Sequence, residues 1–112
     1  MQIKPDKVIR DGKVAVLYSP GYGAGWSTWN SGDNVDFLIF DRRLIGMAEC
    51  GASVEAVETL LENLFGTEEY ISTGGWSDIK IDWVEEGTVF QIKEYDGHES
   101  IHCYDINDYY TA

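Results

Sequence analysis

The chain has 112 residues and a mass of 12.6 kDa, with 20 acids against 8 bases, a formal net charge of −12 and a pI near 4.3. That length suits one domain over residues 1–112, and the 44% hydrophobic and 13% aromatic content supplies apolar area that a disordered chain of this charge would lack. The charge works against direct binding of nucleic acid or an anionic membrane, because phosphates are held by clustered Lys and Arg.

Residues 1–25 are slightly basic, with Lys4, Lys7, Arg10 and Lys13 against Asp6 and Asp11. The remaining 18 of the 20 acids face only Arg42, Arg43, Lys80 and Lys93. The opening MQIKPDKVIRDG has no apolar run, and no stretch approaches the ~18 apolar residues of a membrane span. Two cysteines, Cys50 and Cys103, are too few for a disulfide framework and lack metal-knuckle spacing. The expectation is a cytoplasmic setting with free thiols.

Asp11-Gly12 between residues 7–10 and 13–18 is a hairpin signal, and KVAVLY (13–18) reads as a buried strand. Residues 19–32 follow, with Gly21, Gly23, Gly25, Gly32 and the rings of Tyr22, Trp26 and Trp29. They show neither helical nor strand periodicity, and loops this long are often functional. The apolar run Val35–Phe40 reads as extended. Asp41 can cap a short helix to Cys50, stopped by Gly51. Ser53 can cap a second helix, Val54–Phe65, closed by Gly66, with Val57, Leu60, Leu61 and Leu64 on one arc and Glu55, Glu58 and Glu62 opposite.

The last third reads as strand. Ile79–Val84, Thr88–Tyr95 and His98–Tyr104 are separated by Glu86-Gly87 and Asp96-Gly97. Two-residue turns would pair Trp83 with Phe90 and Ile81 with Ile92, then Phe90 with Cys103, Ile92 with Ile101 and Glu94 with Glu99. Both registers bury Ile79, Ile81, Trp83, Phe90, Ile92, Ile101 and Cys103, leaving a Val84–Val89–Tyr104 row on the other face. The fold class is therefore α+β: a C-terminal three-stranded antiparallel meander, with an N-terminal hairpin, packed on one or two short helices.

No constellation announces a chemistry. The GYGAG segment lacks the sixth-position Gly of a dinucleotide fingerprint and the Lys of a phosphate loop. Tyr22, Trp26 and Trp29 can stack on a small molecule or nucleotide, or fold inward to cap the core. Gly74-Gly75-Trp76 poses the same choice. His98 and His102 on one strand stand roughly 13 Å apart, too far for one metal ion. Asp33-x-x-Asp36 and Asp105-x-x-Asp108 lack the ligand pattern and central Gly of a calcium loop. There is no nucleophile elbow, and Asp82 and His102 are too far apart for a dyad. No catalytic residue, metal or cofactor is expected, and the protein is read as a non-enzyme.

Glu94 opposite Glu99 is unfavourable unless one carboxyl is protonated, both sit at a wet rim, or a partner's Lys or Arg neutralises them. From Glu49 to Asp78 there are seven acids (Glu49, Glu55, Glu58, Glu62, Glu68, Glu69 and Asp78) and no base to pair with them. Glu55, Glu58, Glu62, Glu94 and Glu99 are thus the candidate surface for a basic partner, and Tyr22, Trp26 and Trp29 the candidate ligand loop.

Val14–Asn30 (VAVLYSPGYGAGWSTWN) and Val84–Ile101 (VEEGTVFQIKEYDGHESI) resemble small acidic hypothetical proteins of tailed bacteriophages and related mobile elements. The resemblance covers about a third of the chain and implies a genomic context, not a site. Phage accessory proteins of this size often bind and disable a host protein, and acidic ones can mimic nucleic acid. The resemblance therefore implies an inhibitor or anti-defence protein in the host cytoplasm. A virion component using the Val84–Val89–Tyr104 row as an oligomer contact is a third reading.

Overall fold

Strand β2 (Lys13–Tyr18) organises the molecule, because its apolar side chains point both ways. A computed structural model describes residues 3–67, 70–103 and 110–112. Ala15 and Leu17 enter one core and Val14 and Val16 another, as the two-residue period of a strand requires. β1 (Ile9–Arg10) joins β2 through the Asp11-Gly12 turn, with Ile9 opposite Val14. Both turn residues have positive φ, 53° and 76°, the geometry that suits a two-residue hairpin.

The run Val35–Phe40 is helix α1, not the extended segment its composition suggests. Phe37 and Leu38 enter the first core, and Ile39 and Phe40 the second. A helix buried on both sides shows no polar face, so its period is invisible in sequence. Asp41 ends α1 and caps α2 (Arg42–Cys50), which stops at Gly51 (φ 71°). Ser53 Oγ accepts from Ala56 N at 3.2 Å to cap α3 (Val54–Phe65). Val57, Leu61 and Phe65 seat α3 on the first core, each worth about 1.5–3 kcal/mol in burial.

Asp41 also ties in the N-terminal segment. Its buried carboxylate accepts from Asp6 N (3.1 Å), Arg43 N (3.0 Å) and Arg43 Nε (2.9 Å). Asp41→Ala removes a cap and two further bonds at once, and should lower unfolding free energy by about 2 kcal/mol in urea titration. Asp41→Asn, which keeps an acceptor oxygen, should lose less.

The fold is α+β, with two three-stranded antiparallel sheets. β3 (Lys80–Glu85) pairs with β2, Lys13 opposite Glu85 through Tyr18 opposite Lys80. The Trp83–Phe90 and Ile81–Ile92 pairs are therefore not made. The chain changes sheets at residues 86–88, where Glu86 N bonds Gly12 O, Gly87 N bonds Ala112 O and Thr88 N bonds back to Glu85 O. A two-residue hairpin there would have left β2 with an unpaired edge inside the molecule.

The C-terminal sheet is instead β5–β4–β6: β4 (Val89–Tyr95), β5 (His98–Cys103) and β6 (Tyr110–Thr111). The β4–β5 register is the expected one, with Phe90 opposite Cys103, Ile92 opposite Ile101 and Glu94 opposite Glu99. Phe90 and Ile92 are buried and Ile101 is partly so, but Cys103 is exposed at the strand end. Ile79, Ile81 and Trp83 are half-buried and pack on the other core, against the helices. Val84 is buried between the sheets while Val89 is exposed on the far sheet, so these two form no common row. Tyr104, Asp105 and Asp108 lie outside the described residues.

The layers are α2 and α3, then β1–β2–β3, then β5–β4–β6. Loop 19–32 closes one end, and no described helix is long and apolar enough to cross a membrane.

Candidate functional site

Glu99 is the centre of the loop end. It is fully buried on the inner face of β5, and its backbone N donates to Ser19 O at 2.8 Å. Its side chain collects donors from the loop: Ser19 N (2.8 Å) on Oε1, and Trp26 N (2.8 Å), Thr28 N (3.0 Å) and Thr28 Oγ1 (2.5 Å) on Oε2. Ser19 follows the end of β2, and Trp26 and Thr28 stand at the start of a short 3₁₀ helix (Ser27–Trp29) whose first N–H groups have no acceptor within the helix, so a buried carboxylate supplies it. Glycine lets the loop come this close. A Cβ on Gly25 would stand 2.6 Å from Thr28 Oγ1 and 3.1 Å from Glu99 Oε2, and one on Gly97 would collide with the backbone of Gly23 and Ala24.

This corrects the assignment of Glu99 to a partner-binding surface. Glu99 is internal and bonded within the chain. Glu94 is exposed, but its Oε1 accepts from Gly97 N at 2.6 Å and braces the Asp96-Gly97 turn. The two carboxylates occupy one register position and do different work, one under the loop and one at the rim. Around the same core, burial together with Asp36 and Glu99 pushes the Tyr110 phenol up to about 12.

The loop's rings divide. Trp26 is fully buried, donates Nε1–H to Leu38 O at 2.6 Å and lies 5.5 Å from Trp76. Trp76 is buried too and donates to Ala52 O. Asn30 pins the loop to the next Gly–aromatic turn, exchanging bonds with Ser72 N (2.8 Å) and Ser72 O (3.1 Å). Trp29 keeps 47% and Tyr22 68% of its surface exposed. A ligand platform of all three rings is thus not formed, because Trp26 is core.

Glu55, Glu58 and Glu62 are exposed along the outer side of α3. Among the described residues the ion pairs are Arg10–Glu49, Arg42–Asp6 and Arg43–Asp41, and none reaches this stripe. Glu49 therefore leaves the set of unpaired acids. Arg10 grips it with two bonds (2.8 and 3.1 Å) and holds its carboxyl below the usual range. Lys7 is also engaged, lying over Phe40 and donating to Thr111 O at 2.7 Å. Glu68 and Glu69 lie outside the described residues. A groove of about 150 Å³ runs beside the stripe, with Glu58 and Glu62 at its edge, Leu61 and Ile71 in its wall and Tyr70 exposed at its mouth.

On the opposite side of the molecule, the outer face of β5–β4–β6 carries Tyr95 and His98, Lys93 and Ser100, Gln91 and His102, and Val89 and Thr111 as facing pairs. None of these is a carboxylate. Tyr22 stacks on His98 with ring centroids 4.8 Å apart and planes 16° from parallel. Asp82 lies in the other sheet, paired with Val16, and is separated from His102 by that change of sheet.

No family model, curated protein or solved structure matches this chain. Sequence reading missed the Glu99 hub. Its signal was a Glu alternating with Ile101 on a buried face, in a chain whose glycine-rich loop has donors to satisfy.

Proposed function

We propose that the chain is a non-enzymatic acidic binding protein that docks on the basic surface of a host or defence protein in the host cytoplasm, in place of nucleic acid. The observation that carries this reading is the α3 stripe: Glu55, Glu58 and Glu62 are exposed and reached by none of the ion pairs among the described residues, while Lys7, Arg10, Arg42 and Arg43 are engaged elsewhere in the fold. Like charges along a helix cost stability, and a cationic partner converts that cost into affinity and a faster encounter. The groove beside the stripe suits the aliphatic stem of a Lys or Arg, with carboxylates at its edge for the charged end. Glu94 is exposed at the Asp96-Gly97 turn, apart from this stripe.

The test is capture of a basic partner from host lysate at low and high salt. Glu55→Lys and Glu58→Lys should each weaken capture several-fold at low salt, with an unchanged melting temperature, and the difference should shrink as salt rises. Capture that is insensitive to both substitutions and to salt would remove this surface from consideration.

A further inference from the structure

Strand β3 ends its sheet, since the order is β1–β2–β3 and no described strand pairs with its far side. Its bonds show which backbone groups face outward. Glu86 N reaches inward to Gly12 O, whereas Glu85 O turns away to accept from Thr88 N. Trp83 N is bonded to the carboxylate of its own neighbour, Asp82, at 2.9 Å. In an antiparallel ladder alternate residues bond to opposite sides. Lys80, Asp82 and Val84 therefore bond to β2, and Ile81, Trp83 and Glu85 present their N–H and C=O groups to the free edge.

The strand is also self-complementary, and in one register only. Two copies paired antiparallel about a twofold axis place side chains of the same face opposite each other. A centre at Lys80 sets that lysine against itself, and a centre at Asp82 does the same to the aspartate. Like charges directly opposite are destabilising. A centre at Trp83 sets half-buried Ile81 against Glu85. With Ile81 at the centre, Lys80 lies opposite Asp82 on both sides of the axis, and Ile79 lies opposite Trp83. Lys80 and Asp82 are exposed, and their pair is of the non-hydrogen-bonded kind that brings side chains closest. Ile81 exchanges both its backbone bonds with its copy, and the Trp83 N–H that Asp82 now caps meets the carbonyl of Ile79. The row Ile79, Ile81, Trp83, packed on the helix side of the sheet, then continues across the axis.

We infer that the free edge of β3 pairs with β3 of a second copy in the register centred on Ile81, joining two three-stranded sheets into one. The order of charges along the strand selects both the occupant and the register. This goes beyond docking through α3 and does not depend on it.

The test is sedimentation velocity of the full chain from about 1 μM to 1 mM, in about 0.15 M salt. The wild type should show a concentration-dependent dimer. Lys80→Asp and Asp82→Lys each turn the opposite-charge pairs into like-charge pairs, and each should weaken dimerisation at least about tenfold. Their melting temperatures should stay unchanged, because both side chains are exposed. An equimolar mixture of the two variants restores opposite charges at every pair, so it should dimerise where neither variant does alone. Amide exchange gives a second reading. The Ile81 N–H should exchange more slowly at dimer concentrations, and Lys80→Asp should abolish that dependence. A wild type that stays monomeric throughout, a dimer indifferent to both substitutions, or a mixture that stays monomeric overturns the inference.

Discussion

Glu99→Ala is expected to lower the unfolding free energy by about 4 kcal/mol. The change orphans the N–H groups of Ser19, Trp26 and Thr28 and the Thr28 hydroxyl, all bonded to one carboxylate. A buried donor without a partner costs about 1–3 kcal/mol, and the deleted side chain leaves a void beside them. Glu99→Gln keeps the shape and one acceptor oxygen but turns an NH₂ toward donors, so about half the loss is expected. The order wild type, Glu99→Gln, Glu99→Ala in falling denaturant midpoint, read by far-UV dichroism, checks the account. Equal midpoints for the wild type and Glu99→Ala would mean that the loop does not depend on this carboxylate. Because Tyr22 sits on the same loop, Glu99→Ala should also release its stack on His98.

Trp26→Ala should cost about 3–5 kcal/mol, the range for removing a large aromatic from a packed core, with the carbonyl of Leu38 left without its indole donor. Trp29→Ala, in the same loop and 47% exposed, should cost under about 1 kcal/mol. Thermal melts of the two variants separate the ring that holds the fold from the ring that faces solvent. Similar losses for both would contradict the division of the loop into core and surface.

The features legible in the sequence were those whose cause is local. Asp41, Gly51, Ser53 and Gly66 bound their helices because capping needs only a few neighbouring atoms. Asp11-Gly12 and Asp96-Gly97 turn as read, since positive φ at both positions is a property of the residues themselves. The β4–β5 register followed from its turn. What failed depended on distant partners. Glu86-Gly87 looks locally like another hairpin, but β2 is apolar on both sides and takes β3 as its neighbour. Ile79, Ile81 and Trp83 share their strand parity with Phe90 and Ile92 yet face a different core, which made two registers agree without the first being formed. α1 hid its period because both sides are buried.

The candidate site divided along the same line. The α3 stripe was legible because a helix with one capped end and one apolar arc fixes where its glutamates point. The burial of Glu99 was not, since its bonding partner Ser19 is 80 residues away in sequence. The separation of Asp82 from Gln91 and His102 was not legible either, since it follows from β3 pairing with β2 in the other sheet.

The sharing of β2 by both cores also sets the order in which the molecule can assemble. The β4–β5 hairpin closes a two-residue turn and can form within microseconds. β2 must wait for β3, whose Glu85 meets Lys13, and closing so long a loop is slow in proportion to its entropy. Until then an apolar strand with one bare edge is open to pairing with other chains. The surplus of carboxylates that shapes the finished surface also keeps such half-made chains apart, so refolding yield should fall as salt screens that repulsion.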